Sequence, residues 1–419
     1  MTPVRIIDGT YTAKTYKPGL TFPYRIAIPE TESSSYALLV EHDGQNNANV
    51  HALLRLAEEG AAPYTVSIGV SPGYLIMPDG TTRDMRLNSY DLFDREYSDF
   101  LVYELIPHIT DTYAIVIDPR PEYHIISGGS SGGISAFCAA WFHPEVFRCV
   151  YMSSPSFLAM GRGNEIPYLI RKYETKPLRI YEEYSENEPN DYFGGSYAID
   201  IEARDALTFA GYDFTYVYFP GEGHCSQYRN EDSAYVRMKW LLRNEPITYQ
   251  HSPRVNVLLP EHAEWKPADV FPVIESPTHA QLSPLYRHVV PSADGLAWYA
   301  ADPEDDIIYQ YINRDRIRTE DRLLHAMLHT IPRTGIRGAI DMAVDKTDRL
   351  YVLTSIGIQC VRAYGLIDII LGLPDNTEPL AVAVTDALYV KTAGGCYKRA
   401  LHEACTAAVT ERRHISYYD

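Results

Sequence analysis

The segment of this chain that most restricts its fold is the hexapeptide Gly-Gly-Ser-Ser-Gly-Gly at residues 128–133. It lies between the apolar run His124–Ile126 and a segment with apolar residues at helical spacing. Glycines around a serine let a strand and a helix approach closely, and the sharp turn between them exposes the serine hydroxyl above the sheet edge. The pattern therefore predicts a nucleophile elbow in an α/β fold and covalent acyl-transfer chemistry.

The hexapeptide fits Gly-x-Ser-x-Gly in two frames, centred on Ser130 and on Ser131. The predicted strand ends at Ile126, which places the turn at Gly128–Ser130 and leaves the following glycines to open the helix. Strand length thus favours Ser130 as the nucleophile. In that frame the backbone N–H of Ser131 is a predicted donor of the oxyanion hole.

From about Tyr24 to Leu242, short β-rich runs alternate with helical patterns, and the runs Thr65–Val70 and Cys149–Met152 are two of the predicted strands. Helices between successive strands imply a mostly parallel central sheet that is covered on both faces. We therefore predict an α/β-hydrolase fold for residues 1–245. A length of 419 residues leaves room for a second domain.

Residues 246–284 are rich in proline and have little periodicity, which predicts a linker. Residues 285–405 contain successive short β-rich runs without helical patterns, which predicts a smaller all-β, propeller-like domain. Two similar pieces, GLAWYAADPEDDIIYQY and DMAVDKTDRLYVLTSIGIQCV, recur at roughly the spacing of propeller blades, about 40 to 50 residues. Only about three blades fit, so one hypothesis is a homo-oligomer in which this domain completes a ring.

A serine nucleophile needs a base and an orienting acid, in the chain order serine, acid, histidine. We predict His224 as the base, because it follows the last predicted strand, Phe214–Phe219, through a glycine-rich loop. The acid is expected just past the preceding strand, Leu178–Tyr184, and we predict Glu188. The sequence leaves Glu186 and Asp191 open as alternatives.

The second oxyanion donor is expected on the loop that follows an early strand. The loop 41–46 after Ala37–Val40 fits this requirement, and we predict the backbone N–H of Gln45. Arg86 is predicted to bind a polar or anionic part of the substrate, with an ordinary salt bridge as the alternative.

Composition excludes some classes of function. The chain has 37 basic and 55 acidic residues and a formal net charge of -18, which argues against nucleic acid as a partner. No apolar run is long enough for a membrane span, and the start of the sequence does not resemble a signal peptide, so a cytoplasmic location is expected. The 6 cysteines lack metal-ligand spacing, so no metal site and no cofactor are predicted.

Residues from about Pro23 to Asn244 resemble the enterochelin esterase and feruloyl esterase-like branch of the α/β-hydrolases. The resemblance rests on LLVEHDGQ, RLNSYDLFDREYSDFLVYELIPHI, ISGGSSGGISAFCAAWFHPEVF, YSENEPNDYFGG and AGYDFTYVYFPGEGH. It implies hydrolysis of carboxylic esters by Ser130, Glu188 and His224, although relatives often have aspartate where Glu188 stands. Acylated sugars, cinnamoyl esters and siderophore-type lactones are the small-molecule substrates that it leaves open.

The C-terminal part, roughly Leu285–Leu401, is similar to a fragment of the gluconolactonase-like (senescence marker protein) β-propeller family, notably in AIDMAVDKTDRLYVLTSIGIQ. In that family an aspartate of this segment binds a divalent metal, but here Ile340 stands at the aspartate position and Asp341 at the following glycine. Two alternatives to the serine esterase follow: a metal-dependent lactonase in the C-terminal domain, and a non-catalytic carbohydrate- or partner-binding protein with a hydrolase fold.

Overall fold

The computed structural model describes residues 2–158, 163–191, 194–250, 254–261, 263–272, 279–330 and 337–406. The chain divides into two compact units. Unit 1 comprises residues 1–170 and 175–250, and unit 2 comprises residues 171–174 and 251–419.

Unit 1 alternates strands and helices along the chain. Its strands are β1 (Val4–Thr12), β2 (Thr21–Pro29), β3 (Ala37–His42), β4 (Thr65–Val70), β5 (Tyr74–Ile76), β6 (Thr82–Asp84), β7 (Ile125–Gly129), β8 (Cys149–Ser153), β9 (Arg179–Asn187), β10 (Asn190–Asp191), β11 (Gly194–Gly195) and β12 (Asp213–Gly223). Its α-helices are α1 (Asn47–Glu58), α2 (Arg86–Tyr90), α3 (Glu96–Phe100), α4 (Ile106–Tyr113), α5 (Ser131–Phe142), α6 (Ile166–Lys172), α7 (Ser196–Phe209) and α8 (Glu231–Leu241). A π-helical turn at Leu101–Leu105 joins α3 to α4, and short 3-10 turns lie at Pro121–Tyr123, Gly163–Glu165 and His224–Tyr228.

The central sheet of unit 1 is mixed. Its strand order is β12-β9-β8-β7-β3-β4-β2-β5-β6, with β1 paired to β2. The six strands from β12 to β4 run parallel to their neighbours, whereas β2 pairs antiparallel with both β4 and β1. The mostly parallel sheet predicted from the alternating pattern thus has an antiparallel side. The hairpin of β1 and β2 forms this antiparallel side. β1 lies before residue 24, where the predicted alternation of strands and helices begins.

The strands at the centre of this sheet are covered on both faces. Every residue of β3, β4, β7 and β8 is buried, which is what parallel strands between two helical layers require. Parallel strands also place all their carboxyl ends at one edge of the sheet. The loops that follow β3, β7, β8, β9 and β12 therefore meet there, as the ligand-binding loops of open α/β sheets do.

Unit 2 consists mainly of antiparallel sheets. Its elements are α9 (Val255–Leu258), β13 (Lys266–Pro267), β14 (His288–Pro291), β15 (Ala297–Ala301), β16 (Ile307–Ile312), β17 (Leu323–Met327), β18 (Asp341–Val344), β19 (Leu350–Thr354), β20 (Gly357–Val361), β21 (Ile367–Leu371), β22 (Pro379–Val384), β23 (Leu388–Thr392), β24 (Gly395–Arg399) and α10 (Glu403–Thr406). A 3-10 turn lies at Thr319–Asp321.

The strands of unit 2 form three four-stranded antiparallel sheets, ordered β14-β15-β16-β17, β18-β19-β20-β21 and β13-β24-β23-β22. In the third sheet the early strand β13 pairs with the last strand, β24, so the two ends of this unit are joined by backbone hydrogen bonds. The first two sheets are successive meanders, as the β-rich runs predicted. The propeller-like arrangement of these sheets stays a prediction.

The segment 246–284, predicted as a linker, is divided between the units: residues 246–250 belong to unit 1, and the segment contributes to unit 2 from residue 251. Val255 and Leu258 of α9 are buried in its apolar core together with Tyr351 and Leu388, and β13 also lies in this segment. Residues 251–253, 262 and 273–278 of the segment are outside the described residues. The proline-rich composition did not reveal these contacts, because a four-residue helix and a two-residue strand are too short for periodicity to detect.

Candidate active site

The predicted nucleophile lies on a strained turn between β7 and α5. Ser130 has φ 55° and ψ -126°, a backbone conformation that a residue with a side chain adopts only at a cost. The flanking glycines are required by close approach: a Cβ on Gly128 would lie 2.3 Å from the carbonyl oxygen of Gly132. A strand, a sharp turn and a helix are therefore present as predicted, with Ser130 at the turn. The strand β7 continues to Gly129, however, three residues beyond the predicted end at Ile126.

Ser131, the alternative nucleophile, is the first residue of α5 and is buried. Its hydroxyl bonds to the carboxyl group of Asp91, which is itself buried and whose pKa is raised by that burial. The N–H groups in the first turn of a helix have no intrahelical partners, and they carry the positive end of the helix dipole. This position suits the Ser131 N–H to the oxyanion role predicted for it.

The predicted base and acid are hydrogen-bonded to each other. His224 begins the 3-10 turn after β12, and its Nδ1 bonds to a carboxylate oxygen of Glu188. Glu188 directly follows β9, and its side chain is only 2% exposed, against 35% for His224. A buried carboxylate on Nδ1 orients the ring and leaves Nε2 for proton transfer.

The chain reaches His224 by a route that differs from the prediction. Residues 220–223, expected as a flexible loop, continue β12, and Gly223 pairs with Asn187 after a register shift that begins at Phe219. This pairing brings the end of β12 beside the end of β9, and so places His224 next to Glu188. The sequence gives no sign of it, because Pro220 and two glycines favour a turn over a strand.

The two alternative acids have other positions. An oxygen of Glu186 accepts a hydrogen bond from the backbone N–H of Gly221, 2.6 Å away. Asp191 lies in the short strand β10, and its side chain is outside the described part of the chain. Within the described residues, Glu188 is thus the candidate acid that contacts His224.

Two groups act on the protonation of His224. A hydrogen bond with the neighbouring Cys225, followed by the one with Glu188, raises the pKa of His224 to about 10. The ring therefore holds its proton through the neutral range in the resting site. Since a general base must be unprotonated to accept a proton, this shift predicts activity that rises with pH.

The loop after β3 lies beside the elbow, but Gln45 is not the residue nearest to it. Nδ1 of His42 lies 2.9 Å from the carbonyl oxygen of Gly132, and a Cβ on Gly132 would lie 2.9 Å from a carboxylate oxygen of Asp43. The backbone of Gln45 packs against Gly69 of β4 instead, where a Cβ would lie 2.4 Å from the Gln45 nitrogen. A cavity of about 210 Å³ is lined by this loop and by Ser127 and Gly128 of β7.

Arg86 forms a two-pronged ion pair with Asp43 at this loop. Its Nε and Nη2 donate to the two carboxylate oxygens at 2.7 and 2.8 Å, and its side chain is 28% exposed. Asp43 has φ 63°, so the pair fixes a strained residue of the loop. Arg86 therefore adopts the salt bridge that was the alternative to substrate binding.

A buried ion-pair network lies under the carboxyl edge of the sheet. Glu183 of β9 accepts from Arg229 at 2.9 Å and from Arg237 of α8 at 3.3 Å. Arg237 also donates to Asn49 of α1, which in turn donates to Glu41 at the end of β3. The network thus joins the segment just after His224 to the strand that carries the Gln45 loop.

The sequence did not single out the residues that link the nucleophile to the histidine segment. The Oγ atoms of Ser130 and Ser156 are 2.9 Å apart, and the backbone N–H of Cys225 donates to the Oγ of Ser154. The available signal was the run Ser-Ser-Pro-Ser at residues 153–156, directly after the predicted strand Cys149–Met152. Loops that follow parallel strands are where such residues are expected.

Metal-ligand clusters and membrane-spanning helices are both absent from the described residues. No group of three or more His, Cys, Asp or Glu side chains in them could hold a metal ion. Within the same ranges, no helix is both long enough and apolar enough to cross a bilayer.

Comparison with known proteins gives one family match. Residues 19–189 match the Esterase family model, described as "Putative esterase". A search of curated proteins found no match. The matched segment contains the elbow and Glu188 but ends before His224.

Among solved structures, a ferulic acid esterase is 16% identical with a TM-score of 0.43, covering 58% of this chain and 99% of that one. The enterobactin esterase from Shigella flexneri is 17% identical with a TM-score of 0.41, covering 57% of this chain and 58% of that one. The siderophore hydrolase from Aspergillus nidulans is 17% identical with a TM-score of 0.42, covering 59% of this chain and 97% of that one. At these identities and TM-scores, the likeness supports neither a shared substrate nor a shared mechanism.

The family match covers the strands β2 to β9 of unit 1, the elbow and Glu188. Together with the geometry of the turn at Ser130, it supports an ester-hydrolysing serine hydrolase. Residues 19–189 of this chain are thus similar to the Esterase family.

Proposed function

We propose that this protein hydrolyses carboxylic esters through an acyl-enzyme intermediate, with Ser130 as nucleophile, His224 as base and Glu188 as the orienting acid. The observation that carries the proposal is the buried Glu188 carboxylate bonded to Nδ1 of His224, at the sheet edge where Ser130 lies on its strained turn. A serine on a sharp turn, an acid and a histidine base, in this chain order, are the three parts of a serine hydrolase triad.

In the first half-reaction, Oγ of Ser130 attacks the ester carbonyl carbon and transfers its proton to Nε2 of His224. The carbonyl oxygen becomes an oxyanion, and the N–H of Ser131 at the start of α5 is one donor to it. The N–H of Gln45 stays a prediction for the second donor. The tetrahedral intermediate then expels the alcohol, which takes the proton from His224, and Ser130 is left acylated.

In the second half-reaction, water attacks the acyl-enzyme and gives its proton to His224. Collapse of the second tetrahedral intermediate returns that proton to Oγ of Ser130 and releases the carboxylic acid. Throughout both halves, Glu188 stabilises the imidazolium form of His224, which is the form its hydrogen bond favours.

The proposed substrates are small-molecule esters. Acylated sugars, cinnamoyl esters and siderophore-type lactones are the classes to test first, as the sequence resemblance implies. A cytoplasmic location and a homo-oligomer formed through the C-terminal domain stay predictions, and light scattering at micromolar concentration tests the second.

One contact bears on the alternative of a metal-dependent lactonase in unit 2. Both carboxylate oxygens of Asp341 accept backbone N–H groups: one from Val382 at 2.9 Å and the other from Met342 at 2.9 Å. The carboxylate thus serves to hold β18 against β22, which favours a structural role for this position.

The experiment that tests the proposal is labelling with a fluorophosphonate, followed by mass spectrometry, alongside turnover of p-nitrophenyl and cinnamoyl esters. We expect the label on Ser130 and turnover that a chelator does not affect. Ser130→Ala should lose both, while Ser131→Ala should keep the label on Ser130. A label on Ser131, or turnover that survives in Ser130→Ala, would show that the nucleophile is wrong.

A further inference from the structure

The loop that follows β8 contacts both the nucleophile and the histidine segment. It reads Ser153, Ser154, Pro155, Ser156, and we call it the serine loop. Each of its three serines makes a hydrogen bond to a group next to or within the proposed triad. The triad itself does not require any of these serines, so their arrangement calls for a separate explanation.

On the nucleophile side, the serine loop surrounds Ser130 with three hydrogen bonds. The Oγ atoms of Ser156 and Ser130 lie 2.9 Å apart, and the backbone N–H of Ser156 donates to the carbonyl oxygen of Ser130 at 3.1 Å. The N–H of Ser130 donates to the carbonyl oxygen of Ser153 at 2.9 Å. Both backbone and side chain of the strained residue are therefore held by this one loop.

On the base side, the loop holds the segment that begins with His224. The N–H of Cys225 donates to Oγ of Ser154 at 3.2 Å, and Sγ of Cys225 donates to the carbonyl oxygen of Ser153 at 3.4 Å. Cys225 has φ 58° and Ser154 has φ 46°, so two strained residues meet at this contact. Strained backbone persists only where the surroundings hold it, and here each segment holds the other.

The serine loop is in turn fixed from below. The N–H of Ser154 donates to the carbonyl oxygen of Glu183 at 2.7 Å, and Nη1 of Arg229 donates to Oγ of Ser153 at 3.4 Å. Ser153 is fully buried and Ser154 is 1% exposed. The loop is thus a rigid part of the sheet edge and not a mobile surface turn.

From this geometry we infer that the serine loop positions the triad: Ser156 holds the Oγ of Ser130, and Ser154 holds the segment that carries His224. The inference rests on the proposed serine esterase function and adds two positioning residues to it. When the proton of Ser130 moves to His224, the hydroxyl of Ser156 is left to donate to the Ser130 oxygen. It thereby fixes the position of the attacking oxygen, while the negative charge of the tetrahedral intermediate develops on the carbonyl oxygen of the substrate.

The first test compares Ser156→Ala with Ser156→Thr, which keeps the hydroxyl. We expect Ser156→Ala to lower kcat, and the rate of fluorophosphonate labelling of Ser130, about 10- to 100-fold with little change in KM, because a nucleophile that is not held in the attacking position reacts more slowly. Ser156→Thr should stay within about threefold of the wild type. Ser33→Ala is the matched control, since among the described residues the hydroxyl of Ser33 donates to the nearby carbonyl oxygen of Ser35 and not to a group of the proposed triad.

The second test uses Ser154→Ala and Ser154→Thr in the same way. Loss of the hydroxyl removes the acceptor for Cys225, so we expect kcat to fall about 5- to 50-fold, with the threonine variant retaining most of the rate. Thermal unfolding of all four variants shows which are folded. If an alanine variant does not fold, Ser156→Gly or Ser154→Gly takes its place.

The outcomes separate this inference from the function on which it rests. A wild-type enzyme that is labelled on Ser130, with folded Ser156→Ala and Ser154→Ala variants that react within about threefold of it, overturns the inference and leaves the esterase intact. A threonine variant as slow as its alanine counterpart also overturns it, because the hydroxyl would then not be the active group. A wild-type protein that neither reacts with the label nor hydrolyses any ester overturns both.

Discussion

Strained backbone is distributed differently in the two units. In the described part of unit 1, six of the eight non-glycine residues with positive φ follow the carboxyl ends of four parallel strands, and Lys17 and Ala114 are the other two. The six are Asp43 after β3, Ser130 after β7, Ser154 after β8, and Cys225, Ser226 and Arg229 after β12. In the described part of unit 2, Asp348 is the one such residue. Backbone strain of this kind is retained mainly at functional sites. The difference therefore indicates that the functional site lies at the carboxyl edge of the unit 1 sheet, which we call the strained edge.

Buried charge, by contrast, is present in both units in a similar form. Glu183 in unit 1 lies between Arg229 and Arg237, and Asp368 in unit 2 lies between Arg349 and Arg362. The ion pairs of Glu183 lie beneath the strained loops of unit 1, whereas the ion pairs of Asp368 join β21 to the turns beside it in unit 2. A buried ion pair alone is therefore no sign of a site, and its neighbours decide its meaning.

The largest expected effect tests whether the strained edge is catalytic. His224→Ala should lower kcat/KM for an ester substrate by roughly 10⁴- to 10⁶-fold, as removal of a triad base does in serine hydrolases. His325→Ala is the counterpart in unit 2, where the ring is buried against Tyr299, and it should lower stability without changing kcat. Steady-state kinetics on folded protein measures both. Equal losses in the two variants would contradict the comparison.

The next largest effect compares the two buried ion pairs. Glu183→Gln and Asp368→Asn should each lower the free energy of unfolding by about 3 to 5 kcal/mol, because each leaves two buried guanidinium groups without their carboxylate. Denaturant unfolding measures this loss. Only Glu183→Gln should also lower kcat, because Glu183 holds Arg229 and, through it, the serine loop. A normal kcat in Glu183→Gln would show that the network is structural alone.

The strained edge also contains two adjacent ionisable residues that predict a pH dependence of stability. Burial lowers the pKa of His42 from 6.5 to about 4, so its contribution is lost as the pH falls from 6.5 toward 4. Burial raises the pKa of Glu41 from 4.5 to about 7, so its contribution is lost as the pH rises through that range. Each pKa difference corresponds to about 3 kcal/mol in the free energy of unfolding. The contributions of His42 and Glu41 change in opposite directions over the pH range that the two shifts share.

Glu41→Gln removes one side of this balance. The free energy of unfolding of the variant should fall more steeply than that of the wild type between pH 6.5 and pH 4, by up to about 3 kcal/mol. Denaturant unfolding at a series of pH values measures the slopes. Parallel curves for the variant and the wild type would show that Glu41 keeps its ordinary pKa.

A smaller effect compares two glycines at which no side chain fits. A Cβ on Gly128 would lie 2.3 Å from the carbonyl oxygen of Gly132, and one on Gly338 in unit 2 would lie 1.9 Å from that of Asp305. Each change to alanine should cost about 1 to 3 kcal/mol, because the backbone must shift. We expect Gly128→Ala to slow labelling of Ser130 as well, and Gly338→Ala to leave that rate unchanged.

The smallest expected effect is a displacement of the pH profile. Cys225→Ala removes the main group that raises the pKa of His224, so the pKa should fall and the unprotonated base should be available at lower pH. The rising limb of kcat/KM should therefore move to lower pH, with Cys138→Ala in α5 as the control. If the rising part of the kcat/KM profile stays at the same pH or moves to higher pH, Cys225 does not raise the pKa of His224.

Much of unit 1 could be predicted from the sequence, because its signals are local. The run Thr65–Val70 is the strand β4 as predicted, and the hexapeptide at residues 128–133 forms the strand, turn and helix expected of it. Each rests on a period or on a glycine requirement within a few residues, which the chain shows without reference to distant parts.

Other parts depend on contacts between distant segments. The pairing of Gly223 with Asn187 extends β12 and brings His224 to Glu188, although the residues between Phe219 and His224 favour a turn. Sequence order predicted which residues form the acid and base, but tertiary pairing decided that they meet.

The sequence by itself thus determined the elbow, the α/β alternation and the β-rich nature of unit 2, since these follow from local spacing of apolar residues and glycines. Only the tertiary structure decided that Glu188 and not Glu186 contacts His224, that Arg86 pairs with Asp43, and that Ser156 lies against Ser130. Hydrogen bonds and ion pairs of this kind join residues 26 to 43 positions apart, and their partners are set by strand register and not by the residues between them.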